Sequence, residues 1–159
     1  MAGCIRVQTE AFDPGVELDA LARGDAGAGA LVSFIGRVRD DGAHAPVLRL
    51  TLEHYPGMTE KALGAIVEQA RARWELRDVV VIHRVGAMEP GEPIVLVAVA
   101  SAHRAAAFAA CEFIIDRLKT RAPFWKRERT SQGDRWVEAR AGDAQAAERW
   151  ERDAGLHRE

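Results

Sequence analysis

Cysteine is scarce: the 159 residues hold two, Cys4 and Cys111. They form no CxxC or other metal-like spacing, so neither a disulfide framework nor a zinc site can be read from them. Charge imbalance is missing too. Twenty-two Lys/Arg against 24 Asp/Glu leave a formal net charge of −2, which argues against a general polyanion binder, since such domains carry a clear basic excess. Long apolar runs are absent: the longest, Pro93 to Ala102, is about half a membrane span. The opening Met1-Ala2-Gly3-Cys4-Ile5-Arg6 has no apolar signal core behind a basic start. No internal repeat is found, and low complexity is confined to the Gly/Ala loop at 24–29. The expectation is a cytosolic protein away from membranes and nucleic acid, without metal or cofactor. Any basic site must be local.

What is present suits one globular domain. Apolar residues make up 48% and charged residues 29%, ordinary values for a soluble fold. A chain of this length buries roughly 70% of its unfolded surface, enough for a core without staples. The domain is expected to run over 1–141. Gly142 marks a break, and 142–159 reads as a charged helical tail, partly flexible.

Along the chain, Ile5–Glu10 reads as a short strand and Pro14–Ala22 as a small helix. Ala30–Ile35 is a buried strand, and Val47–Tyr55 alternates apolar with polar; with a polar loop between them, 30–55 is expected to be a hairpin. Thr59–Trp74 has helical spacing, with Thr59 as N-cap. Val79–Val85 and Ile94–Ala100 are β-rich runs joined by the turn Glu89-Pro90-Gly91-Glu92-Pro93. Ser101 is expected to cap a long helix over His103–Lys119, which Pro123 ends. Phe124–Thr130 and Arg135–Ala139 form a closing hairpin. Strands interleaved with two long helices predict an α/β or α+β sandwich.

Chemistry concentrates at the two ends of the long helix. At its start, Ser101-Ala102-His103-Arg104 places an imidazole and a guanidinium beside free backbone N–H groups, which is an anion site or simply a capped helix end. At its end, Lys119 and Lys126 flank the Pro123-Phe124-Trp125 wedge. Cations at a helix C-terminus are expected for dipole reasons. If both amines share one cavity, however, each raises the cost of protonating the other. Arg104 and Lys119 lie roughly 22 Å apart along the helix, whereas a pocket of about 1,000 Å³ spans only some 10 Å. Either the two ends serve different purposes or a second subunit brings His103 and Arg104 to these lysines. Alternation aims Arg37 and Arg39 to one side, away from Val38, and guanidinium groups suit phosphate. Cys111 falls on the apolar stripe Ala107, Phe108, Cys111, Ile114, Ile115, Leu118 and belongs to the core. His54 and His83 lie within apolar strands and read as structural groups.

Several stretches together resemble the large, catalytic subunit of molybdopterin synthase, the MoaE family. They are Phe34-Ile35-Gly36-Arg37-Val38-Arg39, Leu52-Glu53-His54-Tyr55-Pro56-Gly57-Met58, Ile82-His83-Arg84-Val85-Gly86, Ser101-Ala102-His103-Arg104 and Leu118 to Glu128. The likeness runs from about residue 5 to 150. It implies an α+β fold, an α/β hammerhead-like sandwich with an additional small antiparallel β subdomain. It also implies a sulfurtransferase of molybdenum cofactor synthesis. Its partner would be a ubiquitin-like small subunit carrying a thiocarboxylate on its C-terminal Gly-Gly tail. Its substrate would be cyclic pyranopterin monophosphate, and the assembly a central homodimer within a heterotetramer. By likeness Lys119 and Lys126 are the catalytic pair and Arg39 binds substrate, with Arg37 and Val38 beside it. His103 and Arg104 would reach in from the other subunit. Arg127, Glu128 and Arg140 are further substrate contacts, and Phe34 and Phe124 candidate walls of the tail channel. The loop 40–46 departs from the family's usual Asn and Gly.

A rival reading is a non-catalytic anion- or nucleic-acid-binding module. Residues 117–129 hold six Lys/Arg with Phe124 and Trp125 interleaved, the local look of a single-strand platform. The near-neutral total weighs against it.

Overall fold

The computed structural model describes residues 4–40, 46–137 and 141–155. In chain order the elements are β1 (Cys4–Gln8), α1 (Pro14–Gly24), β2 (Ala30–Arg37), β3 (Val47–His54), α2 (Met58–Arg73) and β4 (Asp78–Arg84). Then come β5 (Gly86–Met88), β6 (Pro93–Ser101), α3 (Arg104–Arg121), β7 (Phe124–Thr130), β8 (Gly133–Val137) and α4 (Ala141–Gly155). This is an α+β fold built on two four-stranded sheets, ordered β1-β4-β6-β2 and β5-β3-β7-β8.

Strands β4 and β6 are near-continuous Val/Ile/Leu/Ala runs because both faces of the first sheet are covered. The odd-numbered Val79, Val81, Val95, Val97 and Val99 meet Leu63, Ile66 and Val67 of α2 and Ala110, Phe113 and Ile114 of α3. The even-numbered Val80, Ile82, Leu96, Ala98 and Ala100 meet Leu21 of α1. The period of two along each strand thus divides one apolar run between two cores. In the second sheet Leu50, Leu52 and Met88 form a third cluster with Val38 and Ile94. The chain passes from the first sheet to the second at Gly86, whose φ of 85° lies in the left-handed region. That conformation is open to glycine at little steric cost.

Three local expectations are corrected. Residues 30–55 are not a hairpin: β2 pairs antiparallel with β6, whereas β3 pairs with β5 and β7 in the other sheet. Thr59 does not cap α2. The cap is Gly57, while the fully buried Thr59 accepts from the Tyr55 N–H at 3.0 Å and donates to the Pro123 carbonyl at 3.1 Å. Ser101 does not cap α3 either. The cap is His103, and the Ser101 hydroxyl donates to the Glu75 carbonyl at 3.0 Å. Both hydroxyls serve bonds between elements that are distant in sequence.

Residues 141–155 form α4, and its Trp150 is buried against Trp74 and Phe113, edge to face with both. The Trp150 indole N–H donates to Asp116 at 2.7 Å, and Glu151 accepts from Arg121 at 2.7 Å. No helix among the described residues is long and apolar enough to cross a membrane.

Candidate active site

A pocket of about 470 Å³ opens where the end of β2, the end of α3, the inner face of β7 and the start of α4 converge. Each wall has a local cause. At Gly36 an added Cβ would stand 2.6 Å from Cγ1 of Val95, so only glycine lets β2 run this close to β6. The ladder slips by one residue between Gly36 and Arg37. The arginine segment is then pinned to the 91–92 turn. The Val38 N–H donates to the Glu92 carbonyl at 2.9 Å, Gly91 N–H to the Val38 carbonyl at 2.7 Å, and Arg37 Nε to the Gly91 carbonyl at 3.0 Å. Val38 is buried between an exposed Arg37 and an exposed Arg39, and all three line the pocket.

The opposite wall begins at Lys119, in the last turn of α3 and exposed. The helix stops at Ala122, and the Pro123 carbonyl is held by Thr59. This bond ties the α3–β7 corner to the start of α2 and so fixes one lysine relative to the other. Strand β7 then runs antiparallel to β3, with Lys126 opposite Leu52. Alternation sends Phe124, Lys126 and Glu128 into the pocket.

Lys126 is half-buried, and burial is the largest influence lowering its proton affinity. The charge of Lys119 acts in the same direction, as does a hydrogen bond between the two side chains, while Asp143 and Glu128 oppose them. The amine is therefore easier to deprotonate than an ordinary lysine. Glu128 accepts two hydrogen bonds from Arg135, at 3.0 and 2.8 Å. The pocket thus offers two amines, one with lowered proton affinity, facing two guanidinium groups across an apolar floor. That arrangement can bind a phosphate-bearing or carboxylate-bearing ligand and move a proton at it. Among the described residues no group of three or more His, Cys, Asp or Glu could hold a metal.

The remaining candidate residues lie elsewhere. His103 and Arg104 sit exposed at the far end of α3 and do not line this pocket. Arg127 points to the outer face of the second sheet, its guanidinium 5.9 Å from the Trp136 ring centre. It lines a small depression there with Arg49, Thr51 and Arg129, away from the lysines. Arg140 lies outside the described residues. Cys111 is buried, its thiol 3.6 Å from the Val97 carbonyl. Burial pushes that thiol up to about 11, so almost none of it is thiolate near neutral pH.

Two ionisable residues of the pocket were not among the site residues expected from the sequence. Asp143, in the first turn of α4, lines the mouth. His83 lines the interior, although β4 is buried on both faces and its periodicity marks no pocket side.

Lys126 carries a stability consequence. Its folded proton affinity is below the ordinary value of 10.5, so the charged form costs stability wherever it is populated. That cost is fully present below the folded value and is lost as pH rises toward 10.5, where the unfolded lysine also deprotonates. Lys126→Met is therefore expected to raise the ligand-free stability by about 1 kcal/mol at neutral pH. The gain should shrink in alkaline buffer, read by chemical denaturation at several pH values.

Fold and site together define an α+β protein with a paired-lysine pocket able to take an anionic ligand. Residues 7–121 match the family described as MoaE protein, and the chain belongs to that family, the molybdopterin synthase catalytic subunits. It is 59% identical over 147 residues to the molybdopterin synthase catalytic subunit of Pseudomonas aeruginosa, covering 92% of this chain and 98% of that one. The structure is similar to the molybdopterin biosynthesis MoaE protein from Burkholderia ambifaria, with a TM-score of 0.80 at 50% identity over 93% of this chain and 97% of that one. It is also similar to molybdopterin synthase from Staphylococcus aureus, with a TM-score of 0.76 at 29% identity over 83% and 95% of the two chains.

Proposed function

We propose that this chain is the sulfur-transferring subunit of a cytoplasmic molybdopterin synthase. It accepts the thiocarboxylated C-terminal Gly-Gly tail of a ubiquitin-like small subunit and passes two sulfurs to cyclic pyranopterin monophosphate, forming the dithiolene. The observation that carries this reading is the convergence of Arg37, Arg39, Lys119 and Lys126 on one pocket, with Lys126 short of full proton affinity. The arginines suit the substrate's phosphate. Lys119 suits the charge that develops on the acyl group as sulfur leaves it, and Lys126 suits proton transfer. For each sulfur, the thiocarboxylate forms a C–S bond to a substrate carbon as a C–O bond at that carbon breaks, its oxygen leaving with a proton or with the phosphate. Water then cleaves the acyl–S bond, leaving the sulfur on the substrate and releasing the partner as a carboxylate. Sulfur arrives on the partner, so the unreactive Cys111 is no obstacle.

The test is reconstitution with cyclic pyranopterin monophosphate and a small subunit bearing either a thiocarboxylate or a plain carboxylate. Molybdopterin should form only with the thiocarboxylate. No product from either, with the partner bound, would sink the reading and favour a non-catalytic anion-binding module.

His103 and Arg104 enter through a second copy of the chain. The length of α3 keeps them from their own pocket, roughly 22 Å from Lys119, so a homodimer inside a heterotetramer would place them at the neighbour's. Lys119→Ala and Arg104→Ala subunits, each inactive alone, should then complement when unfolded together and refolded. Random mixing restores one intact site in half the dimers, about a quarter of wild-type turnover. Absence of recovery in verified mixed dimers would place both residues' work within one subunit.

A further inference from the structure

Strand β4 carries a titratable group that the chemistry above does not use. His83 is 5% exposed, yet it lines the pocket. Its Nδ1 lies 2.8 Å from the carbonyl oxygen of Arg84. A carbonyl only accepts, so Nδ1 carries the proton and Nε2 keeps its lone pair. The ring lies nearly flat on Phe124, with centroids 3.8 Å apart and planes 18° from parallel. Phe124 and Lys126 are two residues apart on β7 and share its inner face, about 7 Å from each other along the strand. The imidazole therefore stacks on the β7 face from which Lys126 also projects, near enough for the lysine charge to lower its proton affinity. Burial pushes its pKa down to about 3, and the charges of Lys119, Lys126 and His54 push the same way. The ring stays an acceptor throughout the working pH range.

We propose that His83 is the positioning residue for Lys126: with its Nδ1–H committed to the Arg84 carbonyl, its Nε2 lone pair receives the Lys126 amine and holds it on the Phe124 side of the pocket. A lysine on a flexible four-carbon stem needs such a hold. The carboxylates of Glu128 and Asp143 line the same pocket and draw the amine the other way. A neutral acceptor directs the amine without the ion pairing a carboxylate would add, so its proton affinity stays low enough for proton transfer. Lys119 from α3 and Arg37 and Arg39 from the end of β2 complete the charges around it. The activity arm of the test rests on the sulfur-transfer reading, whereas the labelling arm does not.

The experiment uses the full chain with His83→Phe, which keeps a stacking ring without a lone pair, and His83→Gln, which restores an acceptor. The Lys126 amine is labelled with a trace amine-reactive reagent across the lysine titration range and quantified by mass spectrometry. Melting temperatures are recorded alongside. In His83→Phe the amine swings to the carboxylates and holds its proton, so labelling near neutral pH should fall about threefold or more, with His83→Gln returning it toward wild type. In the reconstituted reaction His83→Phe should lose about tenfold or more in kcat with little change in KM for the partner. Wild-type labelling in His83→Phe, or failure of glutamine to restore it, overturns the proposal and leaves His83 a packing group. Shifted and rescued labelling in a protein that makes no molybdopterin would uphold the positioning role and discard the sulfur-transfer reading.

Discussion

Replacing Lys119 with alanine is expected to lower molybdopterin formation by about 10²–10³-fold, roughly 2.7–4 kcal/mol of transition-state stabilisation. The size follows from its place. Lys119 stands at the pocket wall, in the last turn of α3, and in the proposed reaction it meets charge that exists fully only while the acyl–sulfur bond is breaking. Interactions of that kind appear in kcat, whereas uniform binding appears in KM. Stability should hardly respond: the side chain is exposed, and losing a cation at a helix C-terminus costs at most about 1 kcal/mol. The variant should therefore fold, bind the loaded partner and stall. Lys119→Arg should rescue little, because a planar guanidinium cannot replace a compact ammonium beside Lys126. A Lys119→Ala protein with full single-turnover rate would transfer the central role to Lys126 or to the arginines.

The pocket was legible in part because its residues sit at positions where local rules act strongly. A glycine between a strand and two arginines marked the end of β2, and Pro123 between Lys119 and Lys126 marked a forced corner. Helical length alone separated His103 and Arg104 from the lysines. The alternation that sends Lys126 and Glu128 inward also sends Arg127 outward, so its displacement from the lysine pocket follows from the same rule that a strand assignment implies. Non-local pairing was not legible. The runs around 30–37 and 47–54 look like hairpin partners because a polar loop joins them, yet β2 takes β6 as its neighbour, with Ala30 opposite Ser101. Thr59 and Ser101 carry the propensity of helix caps, and bonds to Pro123 and Glu75 outweigh it. His83 read as a structural group and not as a pocket residue because β4 is buried from Val79 to Arg84, which removes the pattern that tells one strand face from the other.

Phe113→Ala is expected to have the largest effect on the fold, a loss of about 3–5 kcal/mol and a fall in melting temperature of roughly 10 °C. The ring is fully buried and joins three helices. Trp74, just past the end of α2, and Trp150 of α4 both meet it edge to face at 5.4 Å. Two guanidinium groups lie over it, Arg73 at 4.6 Å and Arg117 at 5.2 Å. Arg117 is only 4% exposed, and its Nε has no hydrogen-bond partner among the described residues, so the phenyl face is part of what makes that buried cation tolerable. Alanine would open a cavity and strip the cation of its cover at once. A side chain of intermediate size separates the two effects: Phe113→Leu fills most of the cavity and supplies no π face, so its cost beyond about 1.5 kcal/mol measures the ring's contacts with the two cations and the two tryptophans together. The same change reaches the pocket through α4. Trp150 anchors that helix, and Asp143 at its first turn opposes the fall in Lys126 proton affinity. Once α4 loosens, trypsin should cut after Arg149 or Arg152 faster than in wild type, and the Lys126 amine should label faster near neutral pH. Faster cleavage without faster labelling would mean that α4 is a structural brace with no electrostatic bearing on the lysine pair.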